Sequence, residues 1–158
     1  MAWSPANPVN CYCCTMAQQI IILCTGNSCR SQMAQVIWQH LAGDQAAVDS
    51  AGSHPAGHVH PMAIRALQEL DLPTIGLESK SINQFLSQRF DWAVTVCDQA
   101  QQSCPTLPYV KNTQHWPFED PADAKGTDEE KMIVFRRVRD EIRLRVTQFI
   151  ESQMETPT

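Results

Sequence analysis

Ile20-Ile21-Ile22-Leu23-Cys24-Thr25-Gly26-Asn27-Ser28-Cys29-Arg30-Ser31 decides how this chain is read. The apolar run at its head predicts a strand buried on both faces. Beyond Ser31, the residues Met33, Val36, Ile37, His40 and Leu41 recur at helical spacing, and Gly43 supplies a stop. Between strand and helix lie small or polar residues flanked by a cysteine and an arginine. A loop that enters a helix N-terminus can wrap its backbone N–H groups around a tetrahedral oxyanion, and Arg30 adds a planar, two-pronged donor. Thr25, Gly26, Asn27, Ser28, Cys29 and Arg30 are therefore the expected oxyanion-binding residues. The same field favours the thiolate of Cys24, so the loop both holds an anion and aims a nucleophile at it.

Outward from this loop the chain alternates. Ala46 to Ala51 reads as a second strand, and Pro61 opens a second helix with Ala63, Ala66, Leu67 and Leu70 inward. Ser81 caps a shorter helix carrying Ile82, Phe85 and Leu86. Asp91 to Val96 predicts another buried strand with Cys97 at its C-terminal edge, and a last short strand is expected near Tyr109-Val110-Lys111. A final helix begins at about Asp128, with Phe135, Val138, Ile142, Val146 and Phe149 on one face. Alternation of this kind implies a parallel sheet with helices on both faces, and ligands then bind beyond the carboxyl ends of the strands. Cys24 and Cys97, from different strands, are both delivered to that edge.

With 158 residues the chain suffices for one domain. Residues 1–17 read as a disordered or misannotated leader, 18–152 as the folded unit and 153–158 as a tail. A net charge of −5 with basic and acidic residues intermixed gives no footprint for nucleic acid or an anionic membrane. No apolar run is long enough to span a bilayer and no secretory signal is present, so a cytoplasmic location is expected. In such a compartment the seven cysteines point to catalysis or metal rather than to structural disulfides. The leader cluster Cys11-Tyr12-Cys13-Cys14 has no second ligand pair at zinc spacing. His54, His58 and His60 read as decoration of a Pro- and Gly-rich loop, so no metal site is expected. Trp92 and Trp116 read as packing residues, and Arg136-Arg137-Val138-Arg139 as a solvated helix face.

Cys97 and Cys104 lie seven residues apart. In a helix that spacing rises about 10.5 Å, whereas a disulfide needs Cα atoms within about 7 Å. The two could bond only if the segment unwound, and it is short, polar and ended by Pro105. Alone, they read as two unrelated cysteines; with the anion loop, three thiols at one edge suggest disulfide exchange. Asp120, stiffened by Pro121, is a candidate acid for an oxygen leaving the anion, with Glu119 as its neighbouring alternative.

Several motifs are specific: Cys24 through Ala34, Asp49-Ser50-Ala51-Gly52, Val94-Thr95-Val96-Cys97, Cys104-Pro105, His115-Trp116 with Asp120-Pro121, and Arg137-Val138-Arg139-Asp140-Glu141-Ile142. Through them the chain, from Ile20 to about Ile150, resembles the thioredoxin-coupled arsenate reductases, which share the low-molecular-weight tyrosine phosphatase fold. The resemblance implies a three-layer α/β/α architecture around a four-stranded parallel sheet. It also implies reduction of arsenate to arsenite in arsenic detoxification. Cys24 attacks arsenic, Arg30 and the loop amides hold the oxygens, Asp120 protonates the leaving one, and Ser31 donates a hydrogen bond to the Cys24 sulfur. Cys97 then attacks Cys24, Cys104 attacks Cys97, and thioredoxin reduces the final disulfide. Cys29 takes a secondary or structural role, and weak phosphatase activity is an expected side reaction. Phosphatases of the fold typically carry proline where this chain has Gln32, have tyrosines near the Asp-Pro, and lack the distal cysteine pair. Some relatives bind potassium through a glutamate; Gln35 stands there, and no cofactor is expected. The alternatives are a tyrosine phosphatase using Cys24, Arg30 and Asp120, a non-enzymatic oxyanion or redox sensor, and a reductase drawing on glutathione and glutaredoxin. A monomer is expected.

Overall fold

The computed structural model describes residues 17–98 and 107–154. The expected leader up to Met16, together with Cys104, Pro105 and residues 155–158, lies outside them. The elements are β1 (Gln18–Cys24), α1 (Arg30–Ala42), β2 (Ala46–Gly52), α2 (Pro61–Gln68), β3 (Phe90–Thr95), β4 (Val110–His115) and α3 (Asp128–Met154). The four strands form one sheet in the order β2-β1-β3-β4, with every neighbouring pair parallel.

β1 sits inside the sheet, and from Ile20 to Cys24 it is apolar because both of its faces are covered there. Ile20 and Ile22 join the larger core with α1, α2 and α3, while Ile21 and Leu23 pack with Ile82, Phe85, Phe90 and Leu107 on the other face. Each fully buried isoleucine contributes about 1.5–3 kcal/mol, so this strand anchors the loop that follows it. On the second face, among the described residues, the cover includes a short 3-10 turn, Ile82–Phe85. Ser81 opens it as expected, its Oγ accepting from the Asn83 N–H at 3.2 Å. Leu86, just past this turn, is exposed.

α1 corrects one expectation. Its buried stripe is Met33, Ala34, Ile37 and Trp38, with Trp38 stacked on Trp116 at 5.2 Å, while His40 is exposed. Leu41 is likewise turned out of the core and lines a surface cleft with Leu70, Leu72 and Arg143. Gly43 ends the helix at φ 55°, a left-handed conformation that glycine adopts without a Cβ clash. Trp92 and Trp116 both pack on Phe149, as expected of core aromatics.

The arginine stretch on α3 is a second correction, for only part of it is solvated. Arg139 is buried and donates to Ala66 O at 2.9 Å, in the carbonyl-rich last turn of α2, where cations are favoured. Arg136 bonds both carboxylate oxygens of Glu69, so two arginines tie α3 to α2.

The register brings the strand ends level. Cys24 pairs with Gly52, Leu23 with Thr95, and Thr95 with His115. Cys97 follows two residues after Thr95, so both sulfurs reach the same carboxyl edge.

Candidate active site

The loop between Cys24 and Arg30 is held open from outside. The carbonyls of Thr25, Gly26 and Ser28 accept from the N–H groups of His54, Ala56 and His60 at 2.9–3.0 Å, and Ser79 Oγ also donates to Gly26 O. In a trans peptide the N–H points away from the carbonyl, so this outward pull turns the amides towards Cys24 and Arg30. At its centre Asn27 is fully buried with φ 47°. Its amide donates to Ser31 Oγ at 2.8 Å and to Ser50 Oγ at 2.9 Å, while its Oδ1 accepts from Lys80 N and Gln32 Nε2. Gln32, where phosphatases typically carry proline, also donates to Asn27 O and Glu78 O. A proline there makes none of these bonds.

Gly52 is the loop's backstop. A Cβ built on it meets Thr25 O at 2.5 Å and Asn27 N at 3.1 Å. We expect Gly52→Ala to cost about 1–3 kcal/mol of stability through overpacking. Phosphate affinity is expected to fall by about tenfold or more. Calorimetric titration checks this, with unchanged binding as the contrary result.

Arg30 lies at the start of α1. Its Nη1 donates to Phe118 O at 3.0 Å and its Nη2 pairs with Asp120 Oδ2 at 3.1 Å. Its Nε is buried without a partner among the described residues, a donor available to an anion oxygen. Asp120 also caps a short 3-10 turn, Pro121–Asp123, by accepting from Ala122 N. Glu119 is bound to Arg137 on α3 and does not line the pocket. Between the two acidic candidates, the geometry therefore favours Asp120. The pocket, about 390 Å³, is lined by Cys24, Cys29, Arg30, His58, His60 and Asp120, among others.

Cys24, Cys29 and Cys97 are all buried. The Cys24 thiol is held above its ordinary value, first by its hydrogen bond with Cys97 and then by burial, with Arg30 and the Thr25 N–H pulling the other way. The expected thiolate of Cys24 is thus opposed by its neighbour, because two sulfurs in contact do not both ionise. Thr25 Oγ1 stands 3.4 Å from Cys97 Sγ. Cys29 is pushed up to about 12, mainly by burial and then by Asp120. Ser31 corrects another expectation. Its Oγ accepts from Asn27, and among the described residues it makes no hydrogen bond to the Cys24 sulfur. Gln35 Oε1 accepts from Ser50 Oγ at 2.5 Å, joining the network around Asn27.

His58 and His60 were legible only as loop residues, yet both line the pocket. The signal available was Pro61 at the first helical position, which makes His60 the N-cap. Its Nδ1 accepts from Met62 N at 3.1 Å, and its ring lies 4.8 Å from that of Phe135. Burial, then His58, holds His60 below its usual 6.5, while Asp120 opposes. Folding therefore disfavours its protonation, and the resulting loss of stability sets in as pH falls from 6.5 through the lower folded value. His60→Asn, which keeps a cap but does not titrate, should flatten the pH dependence of urea unfolding in that window. An unchanged slope counts against this reading.

A family model for low molecular weight phosphotyrosine protein phosphatase matches residues 19–156. The chain belongs to that family. Within it, the chain is 48% identical over 133 residues to an arsenate reductase of Halalkalibacterium halodurans, covering 84% of this chain and 95% of that one. Among solved structures it resembles an arsenate reductase in the phosphate binding state, with a TM-score of 0.70 at 29% identity, covering 85% of this chain and 98% of that one. It also resembles the thioredoxin-dependent arsenate reductase of Corynebacterium glutamicum, with a TM-score of 0.69 at 25% identity. That match spans 89% of this chain and 64% of the longer neighbour. The phosphatase-family fold, with a four-stranded parallel sheet, is the architecture expected from the motifs.

Proposed function

We propose that this family member reduces arsenate to arsenite, with thioredoxin as the electron donor. The observation that carries the reading is the contact of two reduced thiols, Cys24 and Cys97, beside the oxyanion loop and Arg30. A hydrolase of this fold needs only the first sulfur; a reductase needs a second one within reach of it. The relatives named arsenate reductase at this level of identity support the same reading.

Arsenate takes the place of Asp120 on the Arg30 guanidinium and accepts from the loop amides and Arg30 Nε. Cys24 sulfur attacks arsenic, and an oxygen leaves as water. Asp120, released from its ion pair, takes the proton that the Cys24 thiol gives up and passes it to the leaving oxygen. Cys97 then attacks the Cys24 sulfur. The S–S bond forms as the As–S bond breaks, and its electron pair stays on arsenic, so As(V) becomes As(III) while two thiols become one disulfide. Cys104 takes over the bond to Cys97, and thioredoxin reduces the Cys97–Cys104 pair.

Gln35 belongs to the Asn27 network, its Oε1 accepting from Ser50 Oγ, and the sulfur chemistry needs no resident ion. A cytoplasmic monomer fits a chemistry that needs reduced thiols. No helix among the described residues is long and apolar enough to cross a membrane. Hydrolysis of phosphate esters is a side reaction of the same Cys24, Arg30 and Asp120, favoured by the family fold.

The test is a coupled assay with arsenate, thioredoxin, thioredoxin reductase and NADPH. Arsenate-dependent NADPH oxidation that phosphate competes away is the expected result. Rapid hydrolysis of an aryl phosphate with no NADPH oxidation, from either thioredoxin or a glutathione–glutaredoxin system, sinks the proposal.

A further inference from the structure

Beside Cys97, three polar side chains form a chain across the sheet edge. Thr95 Oγ1 lies 2.7 Å from His115 Nδ1, and His115 Nε2 lies 3.0 Å from Asp98 Oδ1. An ionised carboxylate only accepts, so Nε2 carries the donated proton. In the neutral ring Nδ1 then accepts from the Thr95 hydroxyl. Thr95 and His115 are also register partners on β3 and β4, so the imidazole stands on two paired strands. Asp98 does not belong to the sheet; its side chain is 78% exposed, and it directly follows the buried Cys97. The ring therefore ties the first residue beyond the second sulfur to the rigid edge.

We propose that His115 is a positioning residue: by holding Asp98 it keeps Cys97 Sγ against Cys24 and so sets the rate of Cys24–Cys97 disulfide formation. This rests on the reductase reading. A hydrogen bond to so exposed a carboxylate contributes little and is cheap to break, which suits a residue that places a sulfur for one step and must release it for the next. Cys97 sulfur displaces arsenic from Cys24, the As–S electron pair staying on arsenic, and His115 takes no part in bond making.

The experiment uses Cys104→Ser protein, in which the Cys24–Cys97 bond accumulates. Disulfide formation is followed by acid quench, alkylation and peptide mass mapping, driven either by arsenate or by diamide, a diazene oxidant that accepts two electrons and two protons. Adding His115→Phe should slow the bond by about 10- to 100-fold under both drives, as expected for a misplaced reacting group. His115→Gln, which still offers Asp98 a donor, should restore the rate to within about threefold of the parent, and phosphate affinity should change by less than about twofold in either variant. Asp98→Ala, at an exposed position, should match His115→Phe and serves if the latter fails to fold. An unchanged rate in both variants overturns the proposal. So does a parallel loss of phosphate affinity, or a glutamine variant no faster than the phenylalanine one. If arsenate yields no disulfide in the parent while diamide does, the reductase reading fails, and the diamide arm still judges His115.

Discussion

Cys24→Ser is expected to lose arsenate-dependent NADPH oxidation by about 10⁴-fold or more, because the covalent entry of the oxyanion disappears with the sulfur. Anion binding should survive. The donors that hold the oxygens are the loop amides and Arg30, anchored by the Asn27 network and by carbonyls pulled outward to His54, Ala56 and His60. Stopped assays with and without arsenate, beside calorimetric titration of phosphate, separate the two effects. A serine variant that still reduces arsenate at a measurable fraction of the parent rate places the nucleophile elsewhere.

The second large effect belongs to Cys104→Ser. One turnover should proceed at the parent rate, releasing one equivalent of arsenite, after which steady-state reduction falls by about 100-fold or more for want of a sulfur to free Cys24. Hydrolysis of an aryl phosphate, which uses only Cys24, Arg30 and Asp120, should be nearly unaffected. Rapid-quench arsenite measurement checks the burst. If steady turnover persists in this variant, thioredoxin or glutathione attacks the Cys24–Cys97 bond directly and the third sulfur is dispensable.

The first βα unit was readable in the sequence because physics constrains it from two sides. β1 is buried on both faces, so its run is apolar without interruption, and the loop must be short and polar to expose its amides. β4 was only half legible. It is an edge strand whose Lys111, Asn112 and Thr113 face solvent, and ladder bonds to β3 rather than side-chain burial hold it in place. Its end, His115, therefore carried no periodic signal, although it stands beside Cys97. The failures share one cause, which is pairing across long stretches of chain. Arg139 reads as solvated until Ala66 O is found beneath it. Asp120 reads as a free acid until Arg30, ninety residues away, is seen to hold it. Ser31 reads as a thiol partner, whereas the bond found on its oxygen comes from Asn27. Burial of such groups is decided by the assembled fold, whereas residue type and spacing report only their chemistry.

The central claim is that one oxidation passes from the pocket outward through sulfur. It is tested most directly by mapping which cysteines resist alkylation after a single arsenate turnover without thioredoxin. The account predicts that Cys97 and Cys104 are joined and protected while Cys24 is free and labelled. Finding Cys97 and Cys104 both labelled, with arsenite already released, contradicts it.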